Sequence, residues 1–251
     1  MLRALSTLSL LLTTLLLAAT ARSGEVSVAV ASNFATAMSD LAAPFERETG
    51  HRLLLSYGAS GKLYAQIRNG APFQVFLSAD DEKPIQLEKD GAAVPGSRFT
   101  YAIGTLVLWS PQPGYVDDEG AVLASGRFRR LALANPRLAP YGEAAMEVLR
   151  QRRLAERLQP NFVMGENIAQ THQFVASGNA KLAFLALSQV WRDGRLSGGS
   201  AWIVPQSLHA PIRQDALLLL PGRDQPAAQA LLTFLRSDRA RAIMRAHGYR
   251  N

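Results

Sequence analysis

Short runs of β-branched and apolar residues alternate with helix-length segments of 3.6-residue periodicity along almost the whole chain, and this rhythm limits the possible folds more than any other feature. Glu25–Ala31 reads as a buried strand, and Phe34–Thr49 follows as a helix with Phe34, Met38, Leu41 and Phe45 on one stripe and Gly50 as its stop. Strand Arg52–Ser56, helix Lys62–Arg68, strand Gln74–Ser78 and helix Lys83–Lys89 continue the series, with Asn69-Gly70 and Gly91 closing the helices. Repeated units of this kind imply a mostly parallel sheet flanked by helices. Tyr101–Trp109 predicts a longer strand with Gly104 inside it, beyond which the alternation restarts. Strands over Leu131–Ala134, Asn161–Met164 and Leu182–Leu187 are interleaved with helices over Gly142–Leu158 and Ile168–Ser177. A last strand, Gln214–Leu220, and helices over Pro226–His247 form too small a unit to bury their own faces, so they are expected to rejoin the first sheet. The prediction is an α/β protein of two lobes, residues 22–103 with 208–251 and residues 104–207, hinged by strands near Gly104 and near Gln206–Arg213.

The leader stands outside this pattern. Arg3 precedes an apolar run from Leu8 to Ala19, interrupted by Thr13 and Thr14, and Ala19-Thr20-Ala21 offers the small residues a signal peptidase requires. Residues 1–21 are therefore expected to be a cleaved signal peptide. The alternative is an uncleaved anchor, but the run is shorter than the ~20 residues a span needs. No Cys follows it to carry a lipid, so the mature chain is expected to be free in an oxidising, extracytoplasmic space.

Composition removes several chemistries. The 251 residues include no Cys, which excludes disulfides, iron–sulfur clusters, thiolate zinc sites and Cys nucleophiles. The formal charge of +7 falls to +6 without Arg3, but the arginines are dispersed and no aromatic-plus-basic module accompanies them, so nucleic acid is not an expected partner. The run Arg150-Gln151-Arg152-Arg153 reads as the solvated face of a helix. His51, His172, His209 and His247 lack metal-ligand spacing. Asp80-Asp81-Glu82 before Lys83-Pro84 is explained by helix capping and first-turn acids. No nucleophile elbow, phosphate-binding glycine loop or dinucleotide fingerprint is present.

What remains is a shared chemistry at four helix starts. Ser32-Asn33 precedes the first helix, Ala59-Ser60-Gly61 the second, Pro140-Tyr141-Gly142 another and Glu166-Asn167 the helix beginning at Ile168. Each follows a strand or loop at the carboxyl edge of a parallel sheet, where open α/β folds bind ligands and where helix N-termini expose unpaired N–H groups. Taken singly, Ser32, Asn33 and Ser60 are ordinary N-cap types, Tyr141 a packed aromatic and Ile168 an apolar residue. As a set converging on one cleft they form a neutral anion trap.

Ser32-Asn33, Ser56-Tyr57-Gly58-Ala59-Ser60-Gly61, Asn69-Gly70-Ala71-Pro72 followed by Val75-Phe76-Leu77-Ser78-Ala79-Asp80, Asn135-Pro136 with Ala139-Pro140-Tyr141-Gly142, and the closing Ala246-His247-Gly248-Tyr249 carry a further signal. In these motifs the chain resembles the periplasmic molybdate-binding proteins of ABC importers, over essentially its whole mature length. The resemblance implies a two-lobed, type II periplasmic binding protein that closes on molybdate or tungstate and delivers it to an inner-membrane permease, without catalysis and without a cofactor. Position by position, the implied oxyanion ligands are Ser32, Asn33 and Ser60 in the first lobe, and Tyr141 and the backbone N–H of Ile168 in the second. Some members place a tyrosine just after the strand matching Leu182–Leu187. Here Leu185-Ala186-Leu187 supplies no hydroxyl, and Tyr141 is expected to take that role. A monomer suffices for such a protein.

Two rival readings stay open. The same cleft could take sulfate or phosphate. An exported ester hydrolase using Ser60 or Ser32 as nucleophile would need a general base, and none stands at a recognisable spacing.

Overall fold

The computed structural model describes residues 23–251, so the expected signal peptide at 1–21 lies outside the described residues. The first half runs β1 (Glu25–Ala31), a 3₁₀ turn at Ser32–Phe34, α1 (Ala35–Thr49), β2 (Arg52–Gly58), α2 (Ser60–Arg68), β3 (Val75–Leu77), α3 (Glu82–Lys89), β4 (Phe99–Gly104) and β5 (Leu106–Ser110). Next come α4 (Val122–Ser125), β6 (Leu131–Ala134), α5 (Pro140–Gln151), α6 (Ala155–Leu158), β7 (Phe162–Gly165), α7 (Ile168–Ala176) and β8 (Leu182–Ala186). A hairpin of β9 (Trp191–Arg192) and β10 (Arg195–Leu196), then β11 (Ser200–Ile203), β12 (Ile212–Leu218), α8 (Pro226–Leu235) and α9 (Asp238–Ala246) complete the chain.

Two five-stranded sheets result, ordered β2-β1-β3-β12-β4 and β11-β5-β8-β6-β7. The sheets are mixed, in contrast to the mostly parallel arrangement that the alternation predicts. In the first, β1 pairs in parallel with β2 and β3, while β12 is antiparallel to both β3 and β4. In the second, β6 is parallel to β7 and β8, while β5 is antiparallel to β8 and β11. The strands that carry the antiparallel pairings flank the crossings between the sheets, where the chain enters without a right-handed helical crossover and so need not run parallel.

Alternate residues of the central strands face opposite sides of each sheet, and both sides are covered. Val26, Val28 and Val30 pack with Phe34, Met38, Leu41, Phe45 and the apolar face of α8 on one side of the first sheet. Ala29, Phe76 and Leu217 pack with Leu63, Ile67 and Leu87 on the other. In the second sheet Leu106, Leu108, Leu133 and Phe184 face α5, while Val107, Ala183 and Leu185 face the α7 side. Each large side chain so buried contributes on the order of 1.5–3 kcal/mol. This two-sided burial explains why the strands read as continuous apolar runs.

The elements α4, β9, β10 and β11 are additions to the sequence-based expectation, and three boundaries depart from it most. The single strand expected over Tyr101–Trp109 is two strands in different sheets, broken at Thr105, because the chain crosses from one sheet to the other there. The second crossing, expected as a strand near Gln206–Arg213, contains a 3₁₀ turn at Gln206–Leu208, and strand pairing starts only at Ile212. The helix expected over Gly142–Leu158 stops at Gln151, where Arg153 takes a positive φ of 57° and the Leu154 N–H returns to the Leu149 carbonyl at 2.8 Å. The basic run thus belongs to a helix end, with the Arg152 guanidinium 4.1 Å from the centre of the Trp202 ring. The acidic cluster has the helix-start role expected of it: Asp80 accepts the Lys83 backbone N–H at 3.1 Å and pairs with its ammonium at 2.7 Å. Among the described residues no helix is long and apolar enough to cross a membrane, and no group of three or more His, Asp or Glu could hold a metal ion.

Candidate functional site

The carboxyl ends of β1 and β2 and the starts of α2, α5 and α7 meet around one small cavity with a void of ≈ 190 Å³, part of it open to solvent. Ser32, Asn33, Ser60, Tyr141 and Ile168, the five residues expected at the site, all line it. So do Ala31, Gly58, Ala59, Ala79, Ala139 and Pro140. No charged residue is among them. An anion there would meet hydroxyls, amides and helix N-termini, whose partial positive charge favours it without a buried cation.

Ser32 and Ser60 are not the N-caps their residue types suggest. The flanking cap positions are Ala31 and Ala59, neither of which can supply a side-chain bond, and each serine sits one residue further on. Ser60, 1% exposed, accepts the Ala79 backbone N–H on its Oγ at 2.9 Å, which leaves its own proton free for an acceptor in the cavity. Asn167 is a true cap, its side chain accepting the Gln170 N–H at 3.0 Å. That cap orients the first turn of α7, whose Ile168 N–H has no intrahelical partner by virtue of its position. Gln189 holds the Ile168 carbonyl at 2.9 Å.

Tyr141 stands in the first turn of α5 with Pro140 before it, a residue preset for the helix start. Its hydroxyl accepts a hydrogen bond from Gln214 Nε2 at 3.1 Å. Burial pushes its pKa well above that of an ordinary tyrosine, and the Gln214 and Asn33 amides pull the other way without overcoming it. The phenol therefore remains a neutral donor. The next residue, Gly142, allows α5 to approach β6: a Cβ there would lie 2.1 Å from the Ala134 carbonyl oxygen.

Asn33 uses its side chain away from the cavity. Its Nδ2 donates to Gln214 Oε1 at 2.9 Å and to the Tyr249 hydroxyl at 3.0 Å, while its carbonyl accepts the Ser188 hydroxyl at 2.9 Å. What Asn33 can offer an anion is the backbone N–H of the 3₁₀ turn. Gln214, Tyr249 and Ser188 are not legible from the sequence as site residues. Only Tyr249 carries a signal there, as part of the closing motif.

Contacts across the mouth hold the two halves together. The Gly61 N–H donates to the Leu138 carbonyl at 2.9 Å, and Lys62 pairs with Glu166 at 2.9 Å. The first contact joins two half-buried residues and the second is exposed.

The chain is similar to known proteins over most of its length. The chain is 56% identical over 234 residues to a molybdate-binding protein of Azotobacter vinelandii, covering 93% of each chain. It is 48% identical over 233 residues to one from Rhodobacter capsulatus, covering 93% of this chain and 91% of that one. Among solved structures, the Azotobacter vinelandii periplasmic molybdate-binding protein matches with a TM-score of 0.87 at 41% identity, covering 90% of this chain and 99% of that one. The family model for bacterial extracellular solute-binding proteins matches residues 26–250, and this chain belongs to that family.

Proposed function

We propose that this protein is the solute-binding component of a molybdate ABC importer: it binds molybdate or tungstate in the cleft between its lobes and presents the closed complex to an inner-membrane permease. The observation that carries this is a cavity with donors from four helix starts and no charged side chain. A dianion stripped of water needs hydrogen-bond donors on its oxygens, and charge-assisted bonds from hydroxyls and backbone N–H groups supply them. Such donors cannot take a proton from a protonated anion. Phosphate, partly protonated at neutral pH, would leave an O–H unpaired, while a smaller ion such as sulfate would fill the cavity less well. The oxyanion is cargo: the protein needs no cofactor and carries out no catalysis.

The remaining parts of this reading rest on the same site. Ser32, Ser60 and Tyr141 donate through hydroxyls, Asn33 and Ile168 through backbone N–H groups. Residues 22–103 with 208–251 form one lobe and 104–207 the other. The signal peptide at 1–21 directs the mature chain to the periplasm, where it works as a monomer. Because the ligands come from both lobes, the anion obtains its full set of donors only when the cleft is shut, and binding shifts the open–closed equilibrium.

Isothermal titration of the mature protein tests the function directly. Molybdate and tungstate are each expected to bind one-to-one, with sulfate and phosphate failing to displace them. Absence of heat with both metal oxyanions would refute the assignment. In the same assay Ser60→Ala is expected to weaken molybdate binding by about 1–3 kcal/mol, through loss of one charge-assisted hydrogen bond. Unchanged affinity would remove Ser60 from the ligand set.

The site also predicts a pH profile. An ordinary tyrosine, which titrates near pH 10.0, would begin to ionise in mild alkali, losing its donor and placing a negative charge beside the anion. Burial raises the pKa of Tyr141, so its proton is retained through that range. Molybdate affinity is therefore expected to stay level from about pH 7 to about pH 10 in titrations at constant ionic strength. A decline centred near pH 10 would show that the Tyr141 phenol ionises as a free tyrosine does.

A further inference from the structure

Beneath the cavity lies a buried chain of polar groups that the ligand set does not use. Gln214, fully buried on β12, accepts Asn33 Nδ2 on its Oε1 at 2.9 Å, faces the Tyr101 hydroxyl on the same oxygen at 3.1 Å, and donates from Nε2 to the Tyr141 hydroxyl at 3.1 Å. It sits at an irregularity: the β12–β4 register shifts between Gln214 and Asp215, passing over Tyr101. A bulge of this kind re-aims side chains, and here it turns Gln214 and Tyr101 into one cluster.

Two backbone carbonyls, which can only accept, draw the hydroxyl protons of the cluster toward themselves. The Tyr101 hydroxyl shares its proton between the Ser78 carbonyl at 3.0 Å and Gln214 Oε1 at 3.1 Å, and the Asn33 carbonyl takes the Ser188 hydroxyl at 2.9 Å. The Tyr249 hydroxyl lies 2.9 Å from the Asn33 carbonyl and 3.0 Å from Ser188 Oγ, and with its proton given to either of them its oxygen accepts Asn33 Nδ2. The second Asn33 amide proton goes to Gln214 Oε1, so the Gln214 Nε2 must point at Tyr141. The Tyr141 oxygen is occupied as an acceptor from below, and among the described residues none takes its proton.

We infer that Gln214 is a positioning residue for oxyanion binding: by donating to the Tyr141 hydroxyl it obliges that hydroxyl to donate into the cavity, and it ties this second-lobe donor to Asn33 of the first. This rests on the proposed function. It makes the hinge strand β12 part of the specificity of the site, because one amide determines whether Tyr141 shows the anion a proton or a lone pair.

A double-mutant cycle read by molybdate titration tests it, with apo thermal unfolding recorded for each variant. Gln214→Met is expected to weaken binding by at least tenfold in the native background and by less than threefold in a Tyr141→Phe background, where there is no hydroxyl to orient. Gln214→Glu keeps the acceptor toward Asn33 and Tyr101, and the apo unfolding of each variant separates loss of fold from loss of binding. As a carboxylate it accepts the Tyr141 proton and turns the oxygen toward the anion. Its loss is expected to exceed a hundredfold and to shrink at least tenfold in the Tyr141→Phe background. A packing role alone would give equal losses in both backgrounds, and that result, or native affinity in Gln214→Met, would overturn the inference. If the unmutated protein binds neither molybdate nor tungstate, the functional reading itself fails and this inference falls with it; binding by the native protein with no coupling refutes only the role of Gln214.

Discussion

Ser60→Asp is expected to abolish molybdate binding while leaving the protein folded. Ser60 lies at the start of α2, 1% exposed, with its Oγ held by the Ala79 N–H and its proton free for the cavity. Aspartate is well tolerated in a first helical turn, where the helix dipole favours a negative charge, so stability should change little. Binding is another matter. Two unit charges about 4 Å apart at an effective dielectric constant of about 20 interact by about 4 kcal/mol, and a dianion doubles the exposure to that repulsion. A loss of at least about 4 kcal/mol, close to a thousandfold, is expected. Calorimetry with molybdate, paired with apo thermal unfolding, checks both halves. Retention of affinity within tenfold of the native protein would mean that Ser60 does not face the ligand.

The second large effect concerns a residue with no side chain. An ideal Cβ on Gly104 would lie 2.1 Å from the Tyr141 hydroxyl oxygen, 2.6 Å from Gln214 Nε2 and 2.9 Å from Tyr141 Cζ. Both neighbours are buried and hydrogen-bonded to each other, and the tyrosine ring is anchored in the core beneath α5. Gly104→Ala must therefore push the ring and its donor out of place. Overpacking of this kind costs about 1–3 kcal/mol of stability. Displacing Tyr141 and breaking its bond to Gln214 should lower molybdate affinity by about 2–3 kcal/mol in addition, near a hundredfold. Adding Tyr141→Phe removes the worst contact, so the double variant should regain thermal stability over Gly104→Ala without regaining affinity. A Gly104→Ala protein with native melting temperature and native affinity would contradict the packing described around β4.

Gly104 shows how legibility divides. As a glycine inside an apolar run it is read as the place of a hinge, and β4 ends at that residue. That its missing Cβ makes room for Tyr141, from a helix much later in the chain, is not readable from local pattern. Ser60 divides the same way. Its position at a helix start is plain, yet the cap it seems suited to belongs to Ala59, because its hydroxyl is engaged by Ala79 across the sheet. Asn33 is the sharpest case: the sequence places the residue at the cavity, and it lies there, but its amide serves Gln214 and Tyr249 behind it.

The alternation of strands and helices, the apolar strands buried on both faces and the polar helix starts are properties of neighbouring residues. Hydrophobic period, caps and breakers act over a few residues, so local pattern suffices for the α/β class and most of the strand–helix order, while the ligand set comes from the resemblance of the motifs. Three other matters arise only in the folded chain: the mixed direction of each sheet, the crossing at Thr105 that parts one apolar run between two sheets, and the proton direction around Gln214. Each depends on groups far apart in the chain, such as Gln214 with Asn33 or the Arg250 backbone pairing with Ile103 to bring Tyr249 beneath the site. Long-range pairings of this sort are fixed by which buried polar groups can satisfy one another once the core has formed, and no local pattern records them.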